Sequence, residues 1–262
     1  MVLFLIIGYL DREGDIMKKE IPKVIHYCWF GKNQKSKLVE KCIDSWKKFC
    51  PDFIIVEWNE DNYDISKNRY MKEAYDSKKW AFVSDYARLD ILYNYGGVYL
   101  DTDVELIRRI DFDQIGEKGF FSLEGDKINT GLGFAVQKND ELLNELLQLY
   151  NDRSFFKEDN SLDVTTCVIS NEPIFKKHFK IKNYNKKSEI ENYTIFPNEF
   201  FCPFNYITGK MNITKNTIGI HWYGATWMNP KKRLIKKIKR MIKKIVGIEN
   251  INKLKQRKNE EK

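Results

Sequence analysis

The chain has 262 residues, enough for one large α/β domain or two small ones. A hydrophobic share of 42% with 14% aromatic residues supports a packed core and excludes a chain that is disordered throughout. The net charge of +8 is uneven: residues 231–262 hold fourteen Lys and Arg against three Glu, which leaves the first 230 residues at −3 and argues against a nucleic-acid-binding body.

At the N-terminus, Val2 to Leu10 is apolar but too short to span a membrane, and it lacks the basic start of a secretory signal. Met17 opens a plausible start, M-K-K-E-I-P-K. Residues 1–16 are therefore expected to be an upstream extension, or else an ordinary segment packed on the domain. The expected divisions are 1–16, a domain over 17–229, and a tail over 230–262. The five cysteines, Cys28, Cys42, Cys50, Cys167 and Cys202, are scattered and form no C-x-x-C pair. That pattern suits free thiols in a reducing cytosol better than a disulfide framework or a zinc site.

Ile21 to Phe30 (I-P-K-V-I-H-Y-C-W-F) reads as a buried first strand closed by Gly31. Ligands of open α/β sheets lie beyond the carboxyl ends of strands. Trp29 is therefore either a core residue or a flat surface for a nucleobase. Ser36 to Cys50 reads as an amphipathic helix with Ser36 as N-cap and Pro51 past its end. Asp52 to Trp58 is a second strand, and strand–helix–strand order predicts parallel pairing. Ser66 to Lys79 is weakly helical.

Trp80 to Asp103 organises the chain. Phe82, Val83, Tyr86, Leu89, Leu92 and Tyr93 recur at helical spacing, and Gly96–Gly97 ends the helix. Val98, Tyr99 and Leu100 form a short strand, and Asp101 and Asp103 follow it. Asp85 and Arg88, three apart, share a helix face. Four charged groups thus meet at one strand–helix junction. Unpaired charges beside a core are costly, so a bound metal and an anionic ligand would explain them. Two carboxylates one residue apart suit a hard ion such as Mg²⁺ or Mn²⁺.

Phe120 to Leu123 is a short strand. Ile128 to Gln137 is a loop feeding another; its Asn129, Gly131 and Gly133 make either a plain turn or a backbone that approaches a ligand. Asp140 to Tyr150 is a leucine-striped helix. Thr165 to Cys167 lies in a helix or at a loop edge. Tyr193 to Tyr206 is aromatic and contains prolines, which predicts a packed loop, and Thr217 to Trp227 is a last strand followed by an aromatic loop. From Pro230, Leu234, Ile238, Met241, Ile245 and Ile248 form a stripe opposite a Lys/Arg face. Such a helix either docks on the body or lies on an anionic membrane surface.

Ser84 to Asp103 (S-D-Y-A-R-L-D-I-L-Y-N-Y-G-G-V-Y-L-D-T-D) closely resembles the sugar-binding region of DXD-containing glycosyltransferases. With I-P-K-V-I-H-Y-C-W-F-G, I-N-T-G-L-G-F and I-H-W-Y-G-A-T-W, residues 20–228 resemble glycosyltransferase family 32. That family includes bacterial capsular polysaccharide transferases and initiating mannosyltransferases of yeast. A more distant likeness is to the glucosyltransferase domain of large clostridial toxins. The resemblance implies an α/β fold of the GT-A type, a Rossmann-like open sheet with flanking helices. It further implies a nucleotide-diphosphate sugar donor (a UDP-sugar in preference to GDP-mannose), Mn²⁺ or Mg²⁺, and retention of configuration.

By the same resemblance, Asp103 is a direct metal ligand, and Asp101 works beside it through the metal's waters. Asp85 and Arg88 hold the donor sugar and ribose, and Trp29 stacks on the base. His221 is a late metal or diphosphate ligand, Trp227 closes over the diphosphate, and Asn129 contacts donor sugar or acceptor. The segment H-W-Y-G-A-T-W departs from relatives that carry a second His and a Ser there. The implied acceptor is a glycan or lipid-linked glycan of surface polysaccharide synthesis. The expected place is cytoplasmic, peripherally associated with the inner face of the membrane through the basic tail. The alternatives are a toxin-like protein glycosyltransferase and a non-enzymatic membrane- or nucleic-acid-binding protein.

Overall fold

The computed structural model describes residues 20–205 and 209–224. Residues 1–16, Trp227 and the basic tail lie outside the described residues. Among the described residues no helix is long and apolar enough to cross a membrane. All five cysteines are buried and free.

The chain opens with β1 (Val24–Cys28), α1 (Lys37–Phe49) and β2 (Ile54–Trp58). The two strands pair in parallel, as strand–helix–strand order predicts, with Val24 opposite Ile54. Ser36 caps α1 by accepting from the Val39 amide. The expected helix over 66–79 is instead a single 3₁₀ turn at Ile65–Lys67 and a short α2 (Arg69–Asp76), separated by Asn68, whose side chain caps α2. Next come α3 (Trp80–Tyr95), β3 (Gly97–Tyr99) and β4 (Val104–Leu106). The rest comprises β5 (Gly119–Glu124), β6 (Lys127–Ile128), β7 (Phe134–Val136), α4 (Glu141–Gln148), α5 (Cys167–Ser170) and α6 (Glu172–His178). It closes with β8 (Ser188–Ile190), β9 (Tyr193–Phe196), α7 (Asn198–Phe201) and β10 (Gly219–His221).

One sheet has the order β2-β1-β3-β7, parallel except for β7. A second has the order β6-β5-β9-β8, with β5 and β9 parallel. A two-stranded ribbon joins β10 to β4. The architecture is thus the expected α/β open sheet flanked by helices. A second segment differs from expectation. The aromatic run predicted as a packed loop contains β9, whose four residues are all buried. A strand covered on both faces reads as a continuous apolar run without alternation.

Helix α3 is buried on nearly all sides between Phe82 and Leu92, and the burial includes Ser84, Asp85, Arg88 and Asp90. Its polar residues therefore mark internal partners, not a solvent face. Asp90, for example, accepts from the Tyr63 hydroxyl at 2.7 Å and from Lys67 at 2.8 Å.

His26 fastens the start of the sheet to the end of this helix. Its Nδ1 accepts from Trp58 Nε1 at 3.0 Å, so Nε2 carries the proton and donates to the Gly96 carbonyl at 3.0 Å. Gly97 has a φ of +99° and no room beside it: a Cβ there would meet the Val24 carbonyl at 2.8 Å and His26 Nε2 at 3.1 Å. Burial holds the His26 pKa down at about 3, against an ordinary 6.5, although the Gly96 hydrogen bond works the other way.

The unfolded chain therefore takes up this proton first as pH falls. The contribution is fully present above about pH 6.5 and is lost on the way down toward pH 3. From pH 7 to pH 5 the native protein should lose about 2 kcal/mol through this group. Urea unfolding at both pH values checks this: His26→Gln should lack that increment, and equal pH dependence in the two proteins would contradict it.

Candidate active site

Helix α3 ends at Gly96, and β3 runs back through the middle of its sheet beside β1. Asp101, Thr102 and Asp103 leave the carboxyl end of β3 in a turn, closed by the Val104 amide donating to the Asp101 carbonyl at 3.0 Å. Position beyond strand ends is where open sheets bind ligands. The turn is held from behind: Trp46 Nε1 of α1 donates to the Val104 carbonyl at 2.8 Å, and Ser45 Oγ accepts from the Leu106 amide at 2.9 Å. Strand β10 pairs with β4 so that His221 lies opposite Val104, which brings the imidazole to the turn.

Arg88 gathers the charges. It is 3% exposed, and its Nη2 lies 3.1 Å from Asp85 Oδ1 and 3.2 Å from Asp101 Oδ1. Nε donates to the Ser84 carbonyl at 3.0 Å, and Nη2 also donates to Ser84 Oγ at 3.1 Å. Nη1 points at Cys167 Sγ, 3.9 Å away, and the guanidinium lies 5.0 Å from the centre of the Tyr99 ring. The Tyr99 hydroxyl donates to Asp101 Oδ1 at 3.1 Å. Burial raises the Asp85 pKa even though Arg88 pulls it down. Burial likewise pushes the Asp101 carboxyl up to about 6 against the pull of Arg88, with Asp103 and Asp85 adding to the rise.

Asp103 belongs to a second pair. Its Oδ2 lies 3.4 Å from His221 Nε2 and accepts from the Gly224 amide at 2.8 Å. Burial resists its ionisation, but His221 and the Gly224 N–H overcome this and hold the carboxyl below the usual range. Burial also opposes charge on His221, yet Asp103 carries the ring's pKa well above the ordinary histidine value. The two aspartates expected to act together thus face different partners. Among the described residues no three His, Cys, Asp or Glu side chains converge as a metal site.

The loop before β7 comes close to this cluster. Asp101 donates its amide to the Gly131 carbonyl at 3.0 Å, and the Gly131 amide donates to Asn129 Oδ1 at 2.7 Å. Asn129 Nδ2 donates to Glu124 Oε2 at 2.6 Å. A Cβ on Gly131 would stand 2.2 Å from Asp101 Oδ2 and 3.0 Å from Arg88 Nη1. The absence of a side chain at Gly131 makes room for the Asp101 carboxylate. Gly133 serves the core: a Cβ there would press on Leu100 and Phe201.

All these groups open into one cavity of about 830 Å³, lined by Trp29, Asp85, Arg88, Asp101, Asp103, Asn129 and His221, among others. Of the candidates read from the sequence, only Trp227 is not placed there, because it lies outside the described residues. Trp29 is half-buried past the end of β1, with its Nε1 donating to the Asn33 carbonyl at 2.7 Å and Lys35 Nζ 5.7 Å from its ring. Sequence reasoning missed Tyr99, Ser84, Glu124, Cys167 and Tyr223. Tyr99 was within reach, because it stands two residues before Asp101 and the side-chain period of a strand is two. Glu124 and Cys167 carried no local signal.

Residues 36–121 match the model of the family described as "Glycosyltransferase sugar-binding region containing DXD motif". That span contains Asp85, Arg88, Asp101 and Asp103 in the geometry above. Over that span the chain is similar to DXD-containing glycosyltransferases. Among curated proteins, it is 34% identical over 98 residues to Inositol phosphoceramide mannosyltransferase 3 of Schizosaccharomyces pombe. That match takes in 35% of this chain and spans 26% of the relative's length. Among solved structures, PaToxG Glycosyltransferase is 20% identical, with a TM-score of 0.46 over 60% of this chain and 69% of its own. A glycosyltransferase involved in the glycosylation of the major capsid of PBCV-1 is 11% identical, with a TM-score of 0.44 over 83% of this chain and 100% of its own.

The tightest constraint in this site is the space at Gly131. Gly131→Ala should lower stability by about 1 to 3 kcal/mol, because the new methyl overlaps the Asp101 carboxylate. Urea unfolding measures it; a change within about 0.5 kcal/mol, the range of ordinary surface substitutions, would show that Asp101 does not sit against this backbone.

Proposed function

We propose that this protein transfers a hexose from a nucleoside-diphosphate sugar to a glycan or lipid-linked glycan, with retention at the anomeric carbon. The observation that carries the reading is the DXD turn at a strand's carboxyl end, sharing one cavity with a buried Asp–Arg pair and a half-exposed tryptophan. The cavity volume of about 830 Å³ lies within the range of small-molecule sites.

Trp29, half-buried past the end of β1, offers its ring to the base. Asp85 presents a carboxylate fixed by Arg88 and accepts hydroxyl hydrogen bonds of the donor sugar. Asn129, held by Gly131 and Glu124, faces the same sugar. Asp103 and His221 face the diphosphate. A carboxylate beside an imidazole, with Asp101 one residue away, is a donor set that a hard divalent ion accepts together with its own waters. Asp103 and His221 would hold such an ion directly, and when bound it neutralises the charge that develops on the departing diphosphate.

The bond from the anomeric carbon to the diphosphate breaks with its electron pair going to the phosphate oxygen. The acceptor hydroxyl oxygen forms the new bond on the same face and gives its proton to that departing oxygen. No carboxylate is reserved for a covalent intermediate: Asp85 and Asp101 are tied to Arg88, Asp103 to His221 and Glu124 to Asn129. A UDP-sugar is the preferred donor. The yeast relative is named a mannosyltransferase, which makes GDP-mannose the natural competitor.

Hydrolysis of UDP-glucose, UDP-galactose, UDP-N-acetylglucosamine and GDP-mannose with Mn²⁺ tests the reading. One donor should be consumed, and Asp103→Ala should slow its consumption by about 100-fold or more. Failure of every donor to bind or react, or an undiminished rate in Asp103→Ala, would refute it.

A further inference from the structure

The donor cavity continues past the DXD turn. Glu124 and Tyr223 line it, and both also line a second cavity of about 660 Å³. No other described residue lines both. The two cavities are therefore neighbours across a gate made of one carboxylate and one phenol.

Both gate residues are held in place. Glu124 ends β5, and its Oε2 accepts from Asn129 Nδ2 at 2.6 Å, on the donor side. Tyr223 has a φ of +51°, a left-handed conformation that a non-glycine residue keeps only when its surroundings impose it. Its ring centre lies 4.1 Å from that of His221, and its hydroxyl lies 3.0 Å from Cys202 Sγ. Strained backbone of this kind, standing between two cavities, is where a fold aims a side chain for a purpose other than its own stability.

The lining of the second cavity has a definite chemistry. Asn198, Asn205 and Asn212 supply amides, Glu124 and Glu199 supply carboxylates, and Phe204 supplies an aromatic face 6.1 Å from the Tyr223 ring. No Lys or Arg lines it among the described residues. An anionic ligand would meet two carboxylates and no cation, which disfavours it. A neutral sugar suits the same lining, since its hydroxyls pair with amides and carboxylates while its C–H faces lie on aromatic rings.

We propose that the second cavity binds the acceptor as a neutral sugar, and that Glu124 holds an acceptor hydroxyl at the gate, facing the donor. The proposal rests on the glycosyl-transfer reading above. Glu124 is thereby both a partner of Asn129 on the donor side and a hydroxyl acceptor on the other side. Glu124 also accepts from the Tyr223 hydroxyl, and an ionised carboxylate, with about four lone-pair sites, has room for Asn129, Tyr223 and a sugar hydroxyl together.

Saturation-transfer NMR on the full chain tests this with methyl α-D-mannoside, methyl β-D-glucoside, methyl β-D-galactoside and mannose 6-phosphate. Titrations with UDP and GDP are run alongside. At least one methyl glycoside should bind, and mannose 6-phosphate should bind more weakly than methyl α-D-mannoside. Asn212→Trp, which puts an indole into the second cavity, should weaken glycoside binding by about tenfold, or about 1.4 kcal/mol. Thermal unfolding reports whether that variant is folded, and the isosteric Glu124→Gln, which should also weaken glycoside binding, provides a second arm.

Nucleotide binding without any glycoside binding would overturn the proposal and leave the donor reading standing. Stronger binding of the phosphorylated sugar, or glycoside binding undisturbed in both variants, would overturn it as well. Glycoside binding that responds to both variants, with neither nucleotide bound, would sink the donor reading and with it the role of this site as an acceptor site.

Discussion

A guanidinium taken out of water must be surrounded by acceptors, because an unpaired buried charge costs several kcal/mol. Arg88 meets this requirement with Asp85, Asp101 and Ser84, and its flat face lies against Tyr99. Those partners come from one turn of α3 and from the strand and turn that follow it. The cluster therefore fixes how the helix sits against β3, and through Asp101 it fixes where the DXD turn begins. Gly131 closes the other side, where only hydrogen fits against the carboxylate. The cavity exists because these groups hold one another without filling it.

The second charged pair is simpler and more open to change. Asp103 and His221 meet only because β10 runs antiparallel to β4, in a register that sets His221 opposite Val104. Ordinary sheet pairing between distant segments thus delivers a carboxylate and an imidazole to the same wall of the cavity. Asp101 and Asp103 both line the cavity, but Asp101 pairs with Arg88 and Asp103 with His221, so the two halves of the D-x-D pair have different protein partners.

Much of this was legible in the sequence, and the reasons differ by element. Helical spacing, two glycines, three apolar residues and an acidic pair mark Trp80 to Asp103 because every signal there is local. The pairing of β1 with β2 follows from chain order and handedness. Helical spacing puts Asp85 and Arg88 on one face, but the burial of Ser84 and Asp90 along with them is not legible, because the partners of these groups (Tyr63, Cys167 and Asp101) lie outside the local pattern. Strand β9 read as loop because a strand covered on both faces loses its alternation. Glu124 and Tyr223 could not be found at all: one ends a strand, the other lies in an aromatic loop, and only the tertiary fold joins them. That Arg88 binds both Asp85 and Asp101 is a tertiary pairing that no local pattern carries.

The most direct measurement is a crystal structure of the full chain with a nucleoside diphosphate and Mn²⁺. The base should lie on Trp29 and the diphosphate between Asp103 and His221, with Arg88 still bound to Asp85 and Asp101. A nucleotide bound outside this cavity, or an Arg88 released from its two carboxylates to meet the ligand, would contradict the structure-based reading of the site.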